Sequence, residues 1–566
     1  MTLDYRNLNL LWASALMETL WRLGLKQVVV CPGSRSGPLA VAAANHPHIE
    51  AVPILDERSA SFFALGHAKP TGRAVAVVCT SGTAGVNMYP AVIEATEGRV
   101  PLLVLTADRP PELRDCGAGQ TVDQQKLFGV AVRWYHEVAL PDRGRLDYLR
   151  QTAVQAWNQA HNSPGPVHLN VVFRDPLAPV DMGEDLPPLA EDFFTAIAPP
   201  RPPKVTLALP PLPPKGLIIA GVAAPHAPEA YCQAVAQLSQ RTGYPVLAEG
   251  LSPMRNWAAL QPHLVTAYDS ILRAPSAAAA LTPDAVIQLG PLPTSKVLRQ
   301  WLTDTAAPRY LISPTTLNLD PTHGHTQYLR GEVTQLALSE VQRDPATHTY
   351  AQQWSGLEAQ ARQQLNKAIA TADFGIESGV AWRLSQHLPP QTPLFVANST
   401  PVRDVEWFWA AGDRHIVPYV NRGANGIDGN LSAALGVAHR NRPGVFLTGD
   451  LALLHDTNGF LIHSYFQGHL TIVLVNNGGG GIFELLPIAQ FDPPFTEFFI
   501  TPQQVDVGLL CQSYGVEYQR MDSWDALTAA ISRLPETGVR LLEVPCDRRR
   551  SAQWRQDLFR RIANFL

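Results

Sequence analysis

TGDLALLHDTNGFLIHSYFQGHLTIVLVNNGGGGIF, residues 448–483, decides how this chain is read. The apolar run Val445-Phe446-Leu447 delivers Gly449-Asp450 to what should be the end of a buried strand. A segment of helix length follows, then a second apolar strand over 471–475. That strand ends in Asn476-Asn477 and four glycines, 478–481. The two strand ends thus present an aspartate, an asparagine and a glycine-rich backbone to one crevice. Carboxylate, amide and carbonyl oxygens suit a hard cation such as Mg²⁺, which keeps further positions for phosphate oxygens. Glycines let backbone N–H groups approach a phosphate closely. The stretch reads as a metal-bridged diphosphate site. The plain alternative is a strand–helix–strand unit with an acidic turn and a loose glycine loop.

Working outward, 566 residues exceed one core and suggest about three domains at the usual ~150–200 residues each. A hydrophobic content of 46% and a charged content of 16% fit a well-buried globular protein. A net charge of −5 gives no bulk attraction to nucleic acid or an anionic membrane, so neither is expected as a partner. Six cysteines (Cys31, Cys79, Cys116, Cys232, Cys511, Cys546) are scattered without a CxxC pair, as in a reducing compartment. Asp4, Arg6, Asn7 and Asn9 interrupt the N-terminal segment where a signal peptide would need an apolar run, and the later Leu, Trp and Ala residues look like a core helix. No apolar stretch reaches the ~18 residues that span a bilayer. A cytoplasmic protein is expected.

The first block, 1–185, alternates short apolar runs with helical patterns: 27–31 (QVVVC), 51–54, 74–79 (AVAVVC) and 101–106 (PLLVLT) read as buried strands. That rhythm predicts a parallel sheet covered by helices. Eight prolines between 199 and 214 mark a stiff linker, placed at 186–214. A smaller α/β block follows at 215–345, with strands near 217–220 and 285–289. It lacks a GxGxxG turn, so a dinucleotide such as FAD is not indicated. A polar, Gln-rich helix within a linker at 346–374 leads to a third α/β block, 375–566, which carries the diphosphate stretch. The fold class expected is α/β, with three doubly wound parallel-sheet domains. No repeat is visible by residue identity, although the first and third blocks share a βα rhythm.

Three strand ends of the first block carry chemistry. Ser34 and Arg35 follow QVVVC, Glu57 follows AVPIL within Asp56-Glu57-Arg58, and Thr80-Ser81-Gly82 follow AVAVVC. Ligands in open α/β sheets bind beyond the carboxyl ends of strands, so these loops should share one edge. In isolation Glu57 would be read as a helix N-terminal charge or a partner of Arg58. Arg35, Arg109, Arg403 and Arg422 lie in turn or loop contexts at strand ends, and Lys296 does so in the central block. One such cation is usually a solvated charge. Five suggest recognition of polyanionic substrates, because guanidinium groups bind carboxylates bidentately. Gln120 could add a neutral hydrogen bond.

The spacing of GD at 449–450 and NN at 476–477, with twenty-five residues between Asp450 and Asn476, resembles the thiamine diphosphate motif. Beside such a site Glu57 gains a role, since thiamine catalysis needs a carboxylate against the aminopyrimidine ring. It should come from a block other than the metal block. Taken together, PGSRSGPL, DERS, TSGTA, TADRPPELRDCGAGQ, NSTPVRD, NRGANGIDG and VNNGGGGIFELLP closely resemble the SEPHCHC synthase (MenD) family of menaquinone biosynthesis, end to end and in order. TADRPPEL and NRGANGIDG are the most specific strings.

The resemblance implies the three-domain fold of thiamine diphosphate-dependent enzymes, with pyrimidine-binding, central and diphosphate-binding domains. It implies a transferase that decarboxylates 2-oxoglutarate and adds the remaining group to isochorismate. The cofactors implied are thiamine diphosphate and Mg²⁺ (or Mn²⁺). Glu57 would face the pyrimidine. Asp450, Asn477 and the Gly479 carbonyl would hold the metal. Ile427 would bend the cofactor, with Ile482 and Phe483 walling its thiazolium. Thr80, Ser81, Gly82, Gly449 and Leu451 would line the cofactor. Ser399, Arg403 and Arg422 would hold the 2-oxoglutarate-derived group. Ser34, Arg35, Arg109, Gln120 and Lys296 would receive isochorismate. A homodimer or homotetramer is implied, with each site completed by two chains. The chain departs from the family where Ala452 replaces a common serine and where Asn425 stands for serine. Neither change removes a charge or a metal ligand. The rival readings are another thiamine-dependent 2-oxoacid decarboxylase or carboligase, and a non-catalytic cofactor-binding homologue. Small neutral-ended substrates would not call for so many loop cations, and both Glu57 and Asp450 are present.

Overall fold

The computed structural model describes residues 3–199, 205–337 and 344–566. Part of the proline-rich linker, 200–204, lies outside them. Among the described residues, eighteen strands form three six-stranded, wholly parallel sheets. The first holds β1 (Gln27–Val30), β2 (Glu50–Pro53), β3 (Val75–Cys79), β4 (Leu102–Asp108), β5 (Trp134–Val138) and β6 (Pro166–Val172). The second holds β7 (Gly216–Ala220), β8 (Val246–Ala248), β9 (Leu264–Val265), β10 (Ala285–Leu289), β11 (Arg309–Ser313) and β12 (Thr326–Arg330). The third holds β13 (Pro393–Val396), β14 (Val417–Val420), β15 (Gly444–Gly449), β16 (His469–Asn476), β17 (Glu517–Arg520) and β18 (Gly538–Pro545).

The inner strands β3, β4, β6, β7 and β10 are buried along their whole length; β3 (VAVVC) and β7 (GLIIA) accordingly read as continuous apolar runs, whereas β6 (PVHLNVV) buries His168 and Asn170. The first sheet runs β2-β1-β3-β4-β6-β5 and the third β14-β13-β15-β16-β18-β17. Renumbered from its own first strand, the third repeats the order of the first. The second, β12-β11-β10-β7-β8-β9, has the 3-2-1-4-5-6 order of dinucleotide-binding folds but lacks their glycine turn. No helix among the described residues is long and apolar enough to cross a membrane.

The chain divides into two compact units. One comprises 1–203 with 421–440 and 455–467; the other comprises 204–420, 441–454 and 468–566. In the first unit the helix Leu8–Leu23 is buried almost all round rather than on one face, beneath the core of the first sheet. There too the helix Glu57–Thr71, which follows β2, crosses the helix Asn430–Ala438, which follows β14 in sequence. A Cβ on Gly66 would stand 2.0 Å from the Ala433 carbonyl oxygen, and one on Gly436 would stand 2.1 Å from that of Phe63. The crossing is reciprocal, and only glycine permits backbone contact this close.

The connection after Asp450 differs from the single helix expected. A short helix, Asp450–Leu454, gives way to 3₁₀ turns over Thr457–Tyr465. Two side-chain bonds hold this segment irregular. Asp456 accepts the Ser432 N–H at 2.8 Å, and Asn458 Nδ2 donates to Asp56 Oδ2 at 2.8 Å. In the second unit the helix Pro345–Ala370 packs Tyr350, Trp354 and Leu365 into a core shared with Leu217, Ile219 and Phe408. Arg255, wholly buried, donates to the Ala248, Thr266 and Glu406 carbonyls and to the Glu406 carboxylate, tying the segments after β8 and β13 together.

Candidate active site

Two sets of strand ends carry the expected residues, one in each unit. In the first unit, Asp56 caps the helix Glu57–Thr71 by accepting the Ser59 N–H at 2.9 Å, which places Glu57 at its first position. Glu57 is half-buried. Burial, with a smaller contribution from neighbouring Asp56, pushes its carboxyl above the ordinary range, against hydrogen bonds from its own backbone and from Asn87.

The loops after β1, β3 and β4 meet beside it. A Cβ on Gly33 would fall 2.2 Å from Thr80 Cβ, so the first two loops touch. Arg109 donates to Ser81 Oγ and to the Gln120 carbonyl (2.7 Å), and Gln120 Nε2 donates to the Ser81 carbonyl at 3.0 Å. Gln124, not singled out from sequence, accepts the Gly82 N–H at 2.9 Å and anchors the same loop. Arg35 donates to the Phe173 carbonyl at 2.9 Å, and the positive charge of Arg109 bears on its guanidinium. Ser34 is exposed in the turn beside it. Ser81, Arg109 and Gln120 therefore form one cluster, with Arg35 in electrostatic reach.

The NRGANGIDG loop also belongs to this unit. Glu94, a residue without a motif, accepts the N–H groups of Gly423 (2.9 Å) and Ala424 (2.7 Å) and fixes the loop that carries Arg422 and half-buried Ile427. Asn425 has φ 63, a left-handed conformation that asparagine tolerates better than serine. That accounts for one departure from the family pattern.

The second unit holds the other set. β15 and β16 are neighbours in register, so Asp450 and Asn477 stand side by side just past their ends. Asp450 Oδ1 accepts the Leu451 N–H (2.8 Å) and Oδ2 the Gly479 N–H (2.7 Å). Burial nevertheless outweighs these donors and lifts its carboxyl to about 6. Gly479 has φ 130, and a Cβ there would sit 2.3 Å from the Ile500 carbonyl oxygen, so the turn requires glycine.

Asn477 is buried, and its Oδ1 has no hydrogen-bond partner among the described residues. An orphaned buried oxygen beside a desolvated carboxylate is a costly arrangement unless a cation arrives. The Asp450 and Asn477 oxygens therefore fit Mg²⁺, while the Gly479 carbonyl, expected as a third ligand, accepts the Gly481 N–H at 2.8 Å. Among the described residues no cluster of three His, Cys, Asp or Glu could hold a metal. A site with one carboxylate leaves its remaining positions to neutral oxygens and phosphate. Gly449 has open space around it, Leu451 and Ile482 are half-buried, and Phe483 packs edge-on to Phe499 at 5.5 Å.

Ser399, at φ 72, caps the helix Thr400–Phe408, and its carbonyl accepts from Arg403 Nη1 at 2.6 Å. Lys296 is exposed at the start of the helix Lys296–Thr303, after β10, and stands with the second unit rather than with the Arg109 cluster.

Family models match the chain in three places: the N-terminal binding domain of thiamine pyrophosphate enzymes at 12–127, their middle domain at 213–396 and their C-terminal binding domain at 405–544. A benzoylformate decarboxylase from Polynucleobacter necessarius shares the fold, with a TM-score of 0.68 over 95% of this chain and 98% of its own, at 16% identity. A 2-succinyl-5-enolpyruvyl-6-hydroxy-3-cyclohexene-1-carboxylate (SEPHCHC) synthase of Nostoc sp. is 54% identical over 100% of this chain and 99% of its own length. The chain belongs to the SEPHCHC synthase family. Relatives of the same name from Acaryochloris marina (52% identical, 100% of both chains) and Synechococcus elongatus (53%, 100% of this chain and 98% of the relative) agree.

Within this SEPHCHC synthase family member, sequence reading missed Asn87, Glu94, Gln124, Asn458 and Glu377. Each is a lone polar residue that meets its partner only through the fold. Asn87 follows the TSGTA string by three positions, Gln124 follows TADRPPELRDCGAGQ by four and Asn458 lies within 448–483, whereas Glu94 and Glu377 have no motif beside them.

Proposed function

We propose that this chain catalyses the thiamine diphosphate-dependent decarboxylation of 2-oxoglutarate and addition of the resulting succinyl-type group to isochorismate, giving SEPHCHC and CO₂. The observation that carries this reading is full-length identity above 50% to SEPHCHC synthases. The loop arginines of both units fit substrates with several carboxylates. Another 2-oxoacid decarboxylase and a non-catalytic homologue are not favoured by that relationship.

Thiamine diphosphate, when bound, supplies the acidic ring carbon and electron sink that decarboxylation needs. In the proposed division of labour, Glu57 holds and returns a proton at its carboxyl, for which its raised proton affinity suits it. Asp450, Asn477 Oδ1 and the Gly479 carbonyl hold Mg²⁺ or Mn²⁺. Ile427, Ile482 and Phe483 shape the cofactor, while Thr80, Ser81, Gly82, Gly449 and Leu451 line it. Ser399, Arg403 and Arg422 hold the 2-oxoglutarate-derived group; Ser34, Arg35, Arg109, Gln120 and Lys296 receive isochorismate. Their cationic members offset the repulsion of two dianions and orient them. The three domains proposed remain those bounded by the linkers at 186–214 and 346–374. Assembly as a homodimer or homotetramer is proposed, with the Glu57 side and the Asp450 side of each site supplied by different chains, in the cytoplasm.

The deciding experiment measures CO₂ release from 2-oxoglutarate with and without isochorismate. Release that depends on both thiamine diphosphate and isochorismate supports the reading. Release with 2-oxoglutarate alone at the same rate points to a simple decarboxylase. The substrate division has its own test. Arg109→Ala is expected to raise the KM for isochorismate, and Arg403→Ala that for 2-oxoglutarate. Each should do so by about one to two decades, the ~1.5–3 kcal/mol of a charge-assisted hydrogen bond. The same KM pattern in both variants would break the division.

A further inference from the structure

The amide of Asn477 is fixed from behind. An asparagine side chain is nearly symmetric in shape, so its partners decide which end faces a given direction. Here Nδ2 donates to Glu377 Oε1 at 2.8 Å, and Oδ1 is the orphaned atom. An ionised carboxylate accepts and cannot donate, so Glu377 selects the nitrogen and leaves the oxygen free to ligate.

Glu377 is 1% exposed, and its carboxylate is paired with a second buried group. Arg555, also 1% exposed, donates through Nη2 to Glu377 Oε2 at 2.7 Å. The same guanidinium holds Asp404, through Nε to Oδ1 (2.9 Å) and Nη2 to Oδ2 (2.7 Å), and Ser378 Oγ donates to Asp404 Oδ1 at 2.9 Å. Two buried carboxylates thus share one guanidinium behind the amide. Such a group is expensive to bury and does little for stability by itself. Its cost is understandable if it orients a ligand.

We propose that Glu377, held by Arg555, is a positioning residue that locks the Asn477 amide with its oxygen toward a divalent cation. This rests on the metal reading given above. Partners behind a ligand orient it and tune its strength, and their loss costs about 10–100-fold in metal affinity.

The test titrates Mg²⁺ into the full chain at saturating thiamine diphosphate, followed by tryptophan fluorescence, for Glu377→Gln, Asn477→Asp, the double variant and Asp450→Ala. In Glu377→Gln, Arg555 claims the single carbonyl oxygen of the introduced amide. The amide's NH₂ then faces Asn477 and turns it over, weakening Mg²⁺ by about 10–100-fold. Asn477→Asp adds an anionic ligand, yet it sets acceptor against acceptor at Glu377, so its Mg²⁺ affinity falls rather than rises. The double variant restores a donor–acceptor pair in reverse and recovers to within a few-fold of the parent. A merely structural Glu377 predicts no such rescue.

The proposal is overturned if Glu377→Gln binds Mg²⁺ like the parent while Asp450→Ala does not, or if the two single losses add in the double variant. Unchanged affinity in Asp450→Ala would instead sink the metal reading itself. Should Glu377→Gln fail to fold, Asn477→Asp decides alone: tighter Mg²⁺ binding overturns the proposal and weaker binding upholds it.

Discussion

Glu57→Gln is expected to lower turnover by about 10²–10⁴-fold, the range over which general acid–base groups act, with thiamine diphosphate affinity and the fold retained. The substitution keeps the shape of the side chain and leaves the Asp56 cap and the Ser59 bond untouched. What it removes is a group that can exchange a proton. Burial, with a smaller contribution from Asp56, raises the carboxyl above its ordinary range, so a neutral amide adds no new buried charge. Loss of activity therefore cannot be blamed on a broken helix start. Turnover at saturating substrates, with calorimetric titration of the cofactor, separates the two effects. A variant within a few-fold of the parent would remove Glu57 from the proposed chemistry.

Asp450→Ala should abolish cofactor binding at ordinary Mg²⁺ concentrations. It deletes the only carboxylate among the three proposed ligands and leaves neutral oxygens to hold the cation. Because partners behind a ligand are worth about 10–100-fold, loss of the anionic ligand itself should exceed that range. Titration of thiamine diphosphate at fixed Mg²⁺ checks this, and unchanged affinity would place the cation elsewhere. The same two variants examine the proposed assembly. If the two sides of a site come from different chains, mixing Glu57→Gln with Asp450→Ala chains regenerates one intact site per hybrid dimer and part of the activity. Subunit exchange without recovered activity would mean that each site is built within one chain.

Much of the architecture was legible because inner parallel strands are apolar on both faces. The runs at 74–79 and 285–289 differ from β3 and β10 by at most one residue. Edge strands were less legible: β2 is visible at 51–54 but as a buried strand, whereas it is only partly buried at the sheet edge, and β17, EYQR, is exposed over most of its length and carries no apolar run. The equivalence of the first and third sheets was also hidden, since strand order is a property of pairing and not of residue identity. For the candidate site, strand-end motifs located Asp450, Asn477, Arg109 and Gln120, because glycine turns and polar loops interrupt apolar strands conspicuously. Glu94 and Glu377 carry no such punctuation. Each is a single carboxylate whose partner lies 329 and 100 positions away along the chain.

The reciprocal crossing of Gly66 and Gly436 has an evolutionary consequence. Elsewhere in a core, a larger side chain on one helix can be accommodated by a smaller one opposite. Here the atoms opposed to the two missing side chains are the carbonyl oxygens of Ala433 and Phe63, which every amino acid possesses. No second-site change can make room, so neither position can drift with the help of the other. The junction between two helices that follow matching strands is thereby confined to one residue type on each side. A larger residue at either position would force the two helix backbones apart, whatever stands at the other.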